Sequence, residues 1–321
     1  MNKITFPRID IEGNFNTQRD IEEWYVDAVS TLISKKLSGI NPTTATEIKT
    51  VRIIQNHLKL ILKAQPQQLE LWTKIIDKYR SSLNKNFLND IRKAFNYDYF
   101  RQNKLVELAK LLNVKCCPYC NMHYTLYAED TVEEDGIIGL AKFQFDHFYD
   151  KSEYPMLSMS LYNLIPSCAV CNHSKTTTKL SLLFHPYHSD ICKQFKFELN
   201  NPIGLYSGEK INDLIDVNFI AKDSNHCLEL DTYIQTFHLK ALYQRHGDVA
   251  QEAFDKAYEY PYYSNPYNFK WLSNKDSDYI KRLWMGTYDK ENEIEKRPMT
   301  KFIQDLWEQA LRIKVIPEDT L

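Results

Sequence analysis

Between residues 44 and 62 the apolar positions Ile48, Val51, Ile54, Leu58 and Ile61 recur every three or four residues. That is the period of one helix face, and Thr44 and Glu47 stand at capping-box spacing ahead of it. Leu69, Trp72, Ile76 and Tyr79 repeat the pattern after Pro66, Leu88, Ile91 and Phe95 do so briefly, and Leu105, Leu108 and Leu112 close the run. After Val114 the period changes. Phe143, Phe145 and Phe148 suggest a short strand running into a loop, and Phe195, Phe197 and Leu199 alternate with Lys196 and Glu198 as a half-exposed strand does. Helical spacing returns at Ile234, Phe237 and Ala241, and at Phe302, Leu306 and Ala310 beyond Pro298. The pattern predicts an α+β chain, mostly helical, in three parts. These are a helical region over 1–113, a chemically dense module over 114–185, and a short β element with a helical region over 186–321.

Composition narrows the function classes. The chain has 321 residues and only 8 glycines, so collagen-like and glycine-rich nucleotide-binding architectures fit poorly. Lys+Arg 40 against Asp+Glu 42 leaves a net charge of -2, so any phosphate-binding surface must be local. No apolar run approaches the about 20 residues that span a bilayer, and the start Met1-Asn2-Lys3-Ile4-Thr5-Phe6 lacks the apolar core of a secretory signal. A cytoplasmic protein with no membrane partner is expected. Glu129, Asp130, Glu133, Glu134 and Asp135 form an acidic run that reads as a solvated loop turned away from phosphate.

The cysteines carry the first chemical signal. Cys117-Pro118-Tyr119-Cys120 and Cys168-Ala169-Val170-Cys171 are two C-x-x-C turns, each able to place two thiolates on one metal. Four thiolates make the soft tetrahedral set that Zn²⁺ prefers in closed structural sites, provided the chain between them folds back. The alternative is four buried free thiols. Cys116, Cys192 and Cys227 read as ordinary cysteines. A saturated Cys₄ site has no open position for substrate, so any chemistry must lie elsewhere.

Between the knuckles stands Phe145-Asp146-His147-Phe148, and Tyr162-Asn163-Leu164-Ile165-Pro166-Ser167 leads into the second knuckle and Asn172-His173-Ser174-Lys175. A carboxylate beside an imidazole suits one-metal phosphodiester hydrolysis: Asp146 to hold a divalent cation such as Mg²⁺, His147 to take the proton from water. Asn172 is placed to add a neutral oxygen ligand, although His173 beside it is also able to ligate. Lys175, on the same helix face, is expected to contact phosphate.

The order Cys117-x-x-Cys120, Asp146-His147, Asn163, Cys168-x-x-Cys171-Asn172, Lys175 resembles the zinc-containing HNH endonucleases in their HNN variant. The resemblance covers roughly residues 114 to 180. It implies a ββα-metal fold around one catalytic metal, with Asp146 and Asn172 as metal ligands, His147 as general base and Asn163 as the residue that ties the loop. It also implies nucleic acid as substrate, DNA favoured and RNA possible. Tyr154-Pro155 and Phe184-His185-Pro186-Tyr187 are similar to flanking segments in HNH proteins of bacterial anti-phage modules, the Septu-type and retron-associated nucleases, which implies a partner ATPase. A non-catalytic zinc module that binds nucleic acid or protein, and a stand-alone restriction-type nuclease, remain the alternatives.

Overall fold

The computed structural model describes residues 1–6, 17–132, 136–202, 214–264 and 274–314. Glu133, Glu134 and Asp135 of the acidic run lie outside the described residues. The fold is α+β and mostly helical, with three two-stranded antiparallel sheets among the described residues. No described helix is long and apolar enough to cross a membrane. Contacts divide the chain into two compact units, residues 3–115 with 125–189, and residues 1–2 with 116–124 and 190–321.

The unit that contains residue 3 begins with a helical layer: α1 (Gln18–Leu37), α2 (Ala45–Leu62), α3 (Pro66–Asp77), α4 (Lys85–Phe95), α5 (Tyr97–Gln102) and α6 (Lys104–Leu112). Thr44 caps α2 and Glu47 reciprocates, accepting from the Thr44 N–H at 3.1 Å. Helix α1 escaped the periodicity reading because Trp24 and Leu32 widen its apolar face. Its buried stripe is nonetheless regular, with Ile21, Tyr25, Val29, Ile33 and Leu37 at every fourth position. It packs on α2 and α4.

Two hairpins follow. Strands β1 (Tyr127–Val132) and β2 (Gly136–Ala141) pair in register and lie against α6. Gly139 permits that approach, because a Cβ there would meet Val106 Cγ1 at 2.9 Å. The acidic run is therefore not all loop: Glu129 and Asp130 sit in β1, and Glu129 pairs with Lys110 at 2.6 Å. Strands β3 (Gln144–His147) and β4 (Leu164–Ser167) form the second hairpin, and α7 (Ala169–Lys175) runs directly on from it.

The loop joining β3 to β4 is fixed by the helical layer rather than by itself. Tyr25 of α1 donates its hydroxyl to the Met159 carbonyl at 2.9 Å, and Ser160 donates to the carbonyl of Ile61, in α2, at 2.7 Å. These buried bonds satisfy one carbonyl of the loop and one at the end of α2, each of which would otherwise cost about 1–3 kcal/mol.

His185 lies in the same core, its ring centroid 4.1 Å from that of Phe148, with Nδ1 accepting from the Tyr187 N–H at 3.2 Å. Burial, aided by neighbouring His188, pushes its pKa down to about 3. An unfolded histidine titrates near about 6.5, so below that pH the unfolded state binds a proton that the folded state refuses. Stability from the neutral ring is complete above that value and lost as pH falls, at about 1.4 kcal/mol per pH unit, down to the folded pKa. His185→Asn keeps an acceptor for Tyr187 and removes the titration. It is expected to flatten the acid limb of stability between pH 6.5 and 3, read by urea unfolding across pH; an unchanged limb would contradict the assignment.

In the other unit, β5 (Phe195–Leu199) pairs with β6 (Val217–Ala221), followed by α8 (Cys227–Thr236), α9 (Leu239–Tyr243), α10 (Gly247–Tyr263), α11 (Ser277–Met285) and α12 (Thr300–Lys314). Helix α12 covers the edge of β5 with side chains. Asp305 accepts from the Phe197 N–H at 2.9 Å, and Gln309 both accepts from and donates to Leu199. An edge strand sealed this way offers no template for another strand.

Candidate functional site

The four knuckle cysteines are buried, none is in a disulfide, and their sulfurs lie within 4.8 Å of one another. Zn–S bonds of about 2.3 Å in a tetrahedron separate sulfurs by about 3.8 Å, so the donor set fits a metal such as zinc with little movement. Local backbone supports the thiolate form. The Met122 N–H donates to Cys120 Sγ at 3.4 Å, and the Cys171 N–H donates to Cys168 Sγ at 3.4 Å, Cys168 being the N-cap of α7. Each N–H favours the charged sulfur over the neutral thiol.

The first knuckle is anchored within its own unit. Asn121, at φ 51°, adopts the left-handed conformation that asparagine tolerates. Its amide donates to the Ile294 carbonyl at 2.9 Å and its Oδ1 accepts from the Lys301 N–H at 3.1 Å. Tyr243 donates to the Cys120 carbonyl at 2.7 Å, and the Tyr119 ring stacks on Phe237 with centroids 4.5 Å apart. His123 puts Nδ1 3.7 Å from Cys120 Sγ. Cys171→Ser is expected to lower bound zinc from about one per chain to well below that, with a fall in Tm, whereas Cys227→Ser, at an exposed position, leaves both unchanged. Metal analysis of the purified variants checks this; an unaltered zinc count in Cys171→Ser would remove the site.

Asp146 and His147 stand side by side on β3, opposite Ile165 and Leu164 of β4, and are only 3% and 7% exposed. The His147 ring meets the edge of Tyr97 at 4.5 Å between centroids, and Nε2 lies 3.0 Å from the Ser158 carbonyl. A carbonyl only accepts, so Nε2 carries the proton and Nδ1 is left as the basic nitrogen. Burial, then the charge of Lys151, lowers the His147 pKa to about 3 against the opposing pull of the Ser158 carbonyl. The ring is therefore neutral across the physiological range, with the Nδ1 lone pair unprotonated.

Asn163 is fully buried and ties the loop together. Its amide donates to the carbonyls of Tyr149 at 3.0 Å and Leu157 at 2.9 Å, and its Oδ1 accepts from the Tyr149 N–H at 2.7 Å. Those three bonds set the path of the segment that carries Ser158, and so the orientation of His147. Asn172, on α7, donates to Gln144 Oε1 at 2.5 Å and lines the same cleft as Asp146 and His147. His173 is exposed and does not line that cleft, which distinguishes it from Asn172.

Lys175 departs from its expected place. It is 0% exposed, with Nζ 2.7 Å from the His147 carbonyl and 3.3 Å from Asp146 Oδ2. An ammonium sealed in this way neutralises Asp146 and holds β3 to α7; it does not reach a phosphate backbone from solvent. The turn after it is strained: Thr176 has φ 48° and ψ -120°, and the Thr178 N–H donates to the Lys175 carbonyl at 2.9 Å. A β-branched residue at positive φ costs of order 1–3 kcal/mol, and here that strain borders the cleft.

No family model, no curated protein and no solved structure matches this chain. The geometry itself adds residues that the sequence did not single out. The cleft holds about 590 Å³, and besides Asp146, His147 and Asn172 it is lined by Tyr97, Arg101, Asp150 and Lys151. Tyr97 donates to the Phe145 carbonyl at 3.2 Å and supports the ring of His147. Tyr97 and Arg101 belong to α5, some fifty residues before β3, so no local spacing linked them to the site.

Proposed function

We propose that this chain is a metal-dependent endonuclease of the HNH type, in which β3, β4 and α7 form a ββα-metal module. The observation that carries the reading is the His147 imidazole, its Nε2 committed to the Ser158 carbonyl and its Nδ1 free to act as base, in one cleft with Asp146 and Asn172. The metal fit rests on donor chemistry: a carboxylate and a neutral amide oxygen are hard ligands, and Mg²⁺ is held by few protein oxygens with water and phosphate completing its shell. Such an ion, on Asp146 and Asn172, would supply charge neutralisation at the phosphate and at the departing oxygen. His147 takes the proton from the attacking water. Tyr97 and Asn163 hold His147 in position, the first by ring contact and the second through the loop that presents Ser158. The buried Lys175 limits the negative charge of the site.

The Cys₄ group holds structural zinc in this reading, and nucleic acid is the substrate, DNA before RNA. The segments around Tyr154-Pro155 and Phe184-His185-Pro186-Tyr187 support a role in bacterial anti-phage defence in the cytoplasm, with an ATPase as partner. The test is cleavage of plasmid, single-stranded DNA and RNA by purified protein with Mg²⁺ or Mn²⁺, and with EDTA. Cutting that needs the metal supports the proposal; silence of a folded, zinc-loaded chain on every polymer, alone and with its co-purifying partner, overturns it.

A further inference from the structure

Two cations face the cleft without a carboxylate to neutralise them. Neither Lys151 nor Arg101 forms an ion pair with any described residue, whereas Lys175 is spent on Asp146. Lys151 is half-buried, with its ammonium 4.5 Å from the centre of the Tyr97 ring. The His147 ring centroid lies the same distance from that same ring, so the ammonium is no further from the His147 ring centre than twice that length. A partly desolvated ammonium resting on an aromatic face gains some cation–π attraction, yet its electrostatic demand for an anion stays unmet. Burial lowers the Lys151 pKa, and Asp98 and Asp150 offset part of that shift.

The neighbouring carboxylates do not remove this demand. Asp150 spends Oδ1 on the N–H groups of Ser152 at 2.7 Å and Glu153 at 3.3 Å. Arg101 is exposed on α5, one turn beyond Tyr97, and lines the same wall. Asp146 and Asp150 are the carboxylates lining the cleft, and among the described residues that line it the side chains offering positive charge to an incoming polyanion are those of this wall.

We propose that Lys151 and Arg101 grip the phosphodiester backbone beside the bond attacked by the water that His147 deprotonates, with the Tyr97 ring positioning the lysine. The inference rests on the nuclease reading for its substrate, and it adds the side of the cleft on which the strand lies and the residues that hold it. These contacts fix position and carry no sequence information, since they address phosphate and not base edges. Arg101 belongs to the N-terminal helical region, so the substrate surface extends beyond the hairpin and helix that carry the reacting groups.

The experiment measures binding separately from cleavage. Full-length chain carrying His147→Gln is titrated against labelled duplex DNA, single-stranded DNA and RNA by fluorescence anisotropy, over about 50 to about 200 mM salt. The same titrations are made with Lys151→Gln and Arg101→Gln added. Loss of two phosphate contacts is expected to reduce the slope of log K against log salt by about 1.8 on duplex, or about 1.4 on a single strand. Between those salt concentrations the affinity gap to the parent then narrows about tenfold on duplex. Lys151→Arg with Arg101→Lys is expected to restore the slope, which a merely structural role would not predict. An unchanged slope in the double Gln variant, or no binding to any polymer by the parent, overturns the grip. If the wild-type chain cuts but the slope is unchanged, the grip fails alone; if the slope falls but nothing is cut, the nuclease reading fails and the grip stands.

Discussion

Replacing His147 by alanine is expected to lower metal-dependent cleavage by about 10²- to 10⁴-fold, the usual contribution of a positioned general base. Zinc content should not change, because the imidazole is no part of the Cys₄ group. Alanine also leaves the buried Ser158 carbonyl without its donor and opens space against Tyr97, which costs about 1–3 kcal/mol and complicates the comparison. His147→Gln separates the two effects. Its amide can still donate to Ser158 but has no basic nitrogen, so it should retain more stability than alanine and remain equally inactive. Single-turnover rates and urea unfolding of both variants check this. Normal turnover by either would remove His147 as the base.

Lys175→Met is expected to destabilise the unit that carries residues 125–189 by about 3–5 kcal/mol, the cost of breaking a buried ion pair from one side. The side chains of Lys175 and Asp146 are 0% and 4% exposed, so water cannot take the place of the lost partner. The backbone carbonyl of His147 loses its donor at the same time. A second substitution supplies the control: Asp146→Asn with Lys175→Met removes both charges and should recover part of the loss. A lysine that merely touched phosphate would behave differently. Its replacement would raise KM and leave unfolding untouched, so denaturation of the single and double variants, together with KM and kcat, decides between the two roles.

The helix periods of α2 and α3, the alternation in β5 and the spacing within each C-x-x-C turn all depend on residues within a few positions of one another. Short-range spacing of this kind is visible without a fold. Asn163 illustrates an intermediate case. Its place in the order of motifs suggested a loop-tying role, but the acceptors that it serves, at Tyr149 and Leu157, emerge only from the path of the loop. The β1–β2 hairpin went unread because its acidic strand, with Glu129 and Asp130, has the composition of a solvated loop. Pairing of Glu129 and Asp130 with Gly139 and Ile138 across the hairpin, together with Lys110 on α6, makes a strand of it.

By itself the sequence determined the α+β, mostly helical class, two C-x-x-C turns whose four cysteines could hold a metal, and the placing of a carboxylate, an imidazole and two amides in one module. These follow from periodicity and from the limited reach of a short turn. Tertiary structure alone decided what surrounds them. Chain folding brings Tyr97 and Arg101 of α5 to the wall beside β3, and aims the Ser158 carbonyl at Nε2 so that Nδ1 is the free nitrogen. It also buries Lys175, because α7 closes over β3 and an ammonium enclosed there must bond to Asp146 and the His147 carbonyl. The physical reason is common to all three: the partners lie far apart along the chain, and only packing fixes which groups meet and which are cut off from water.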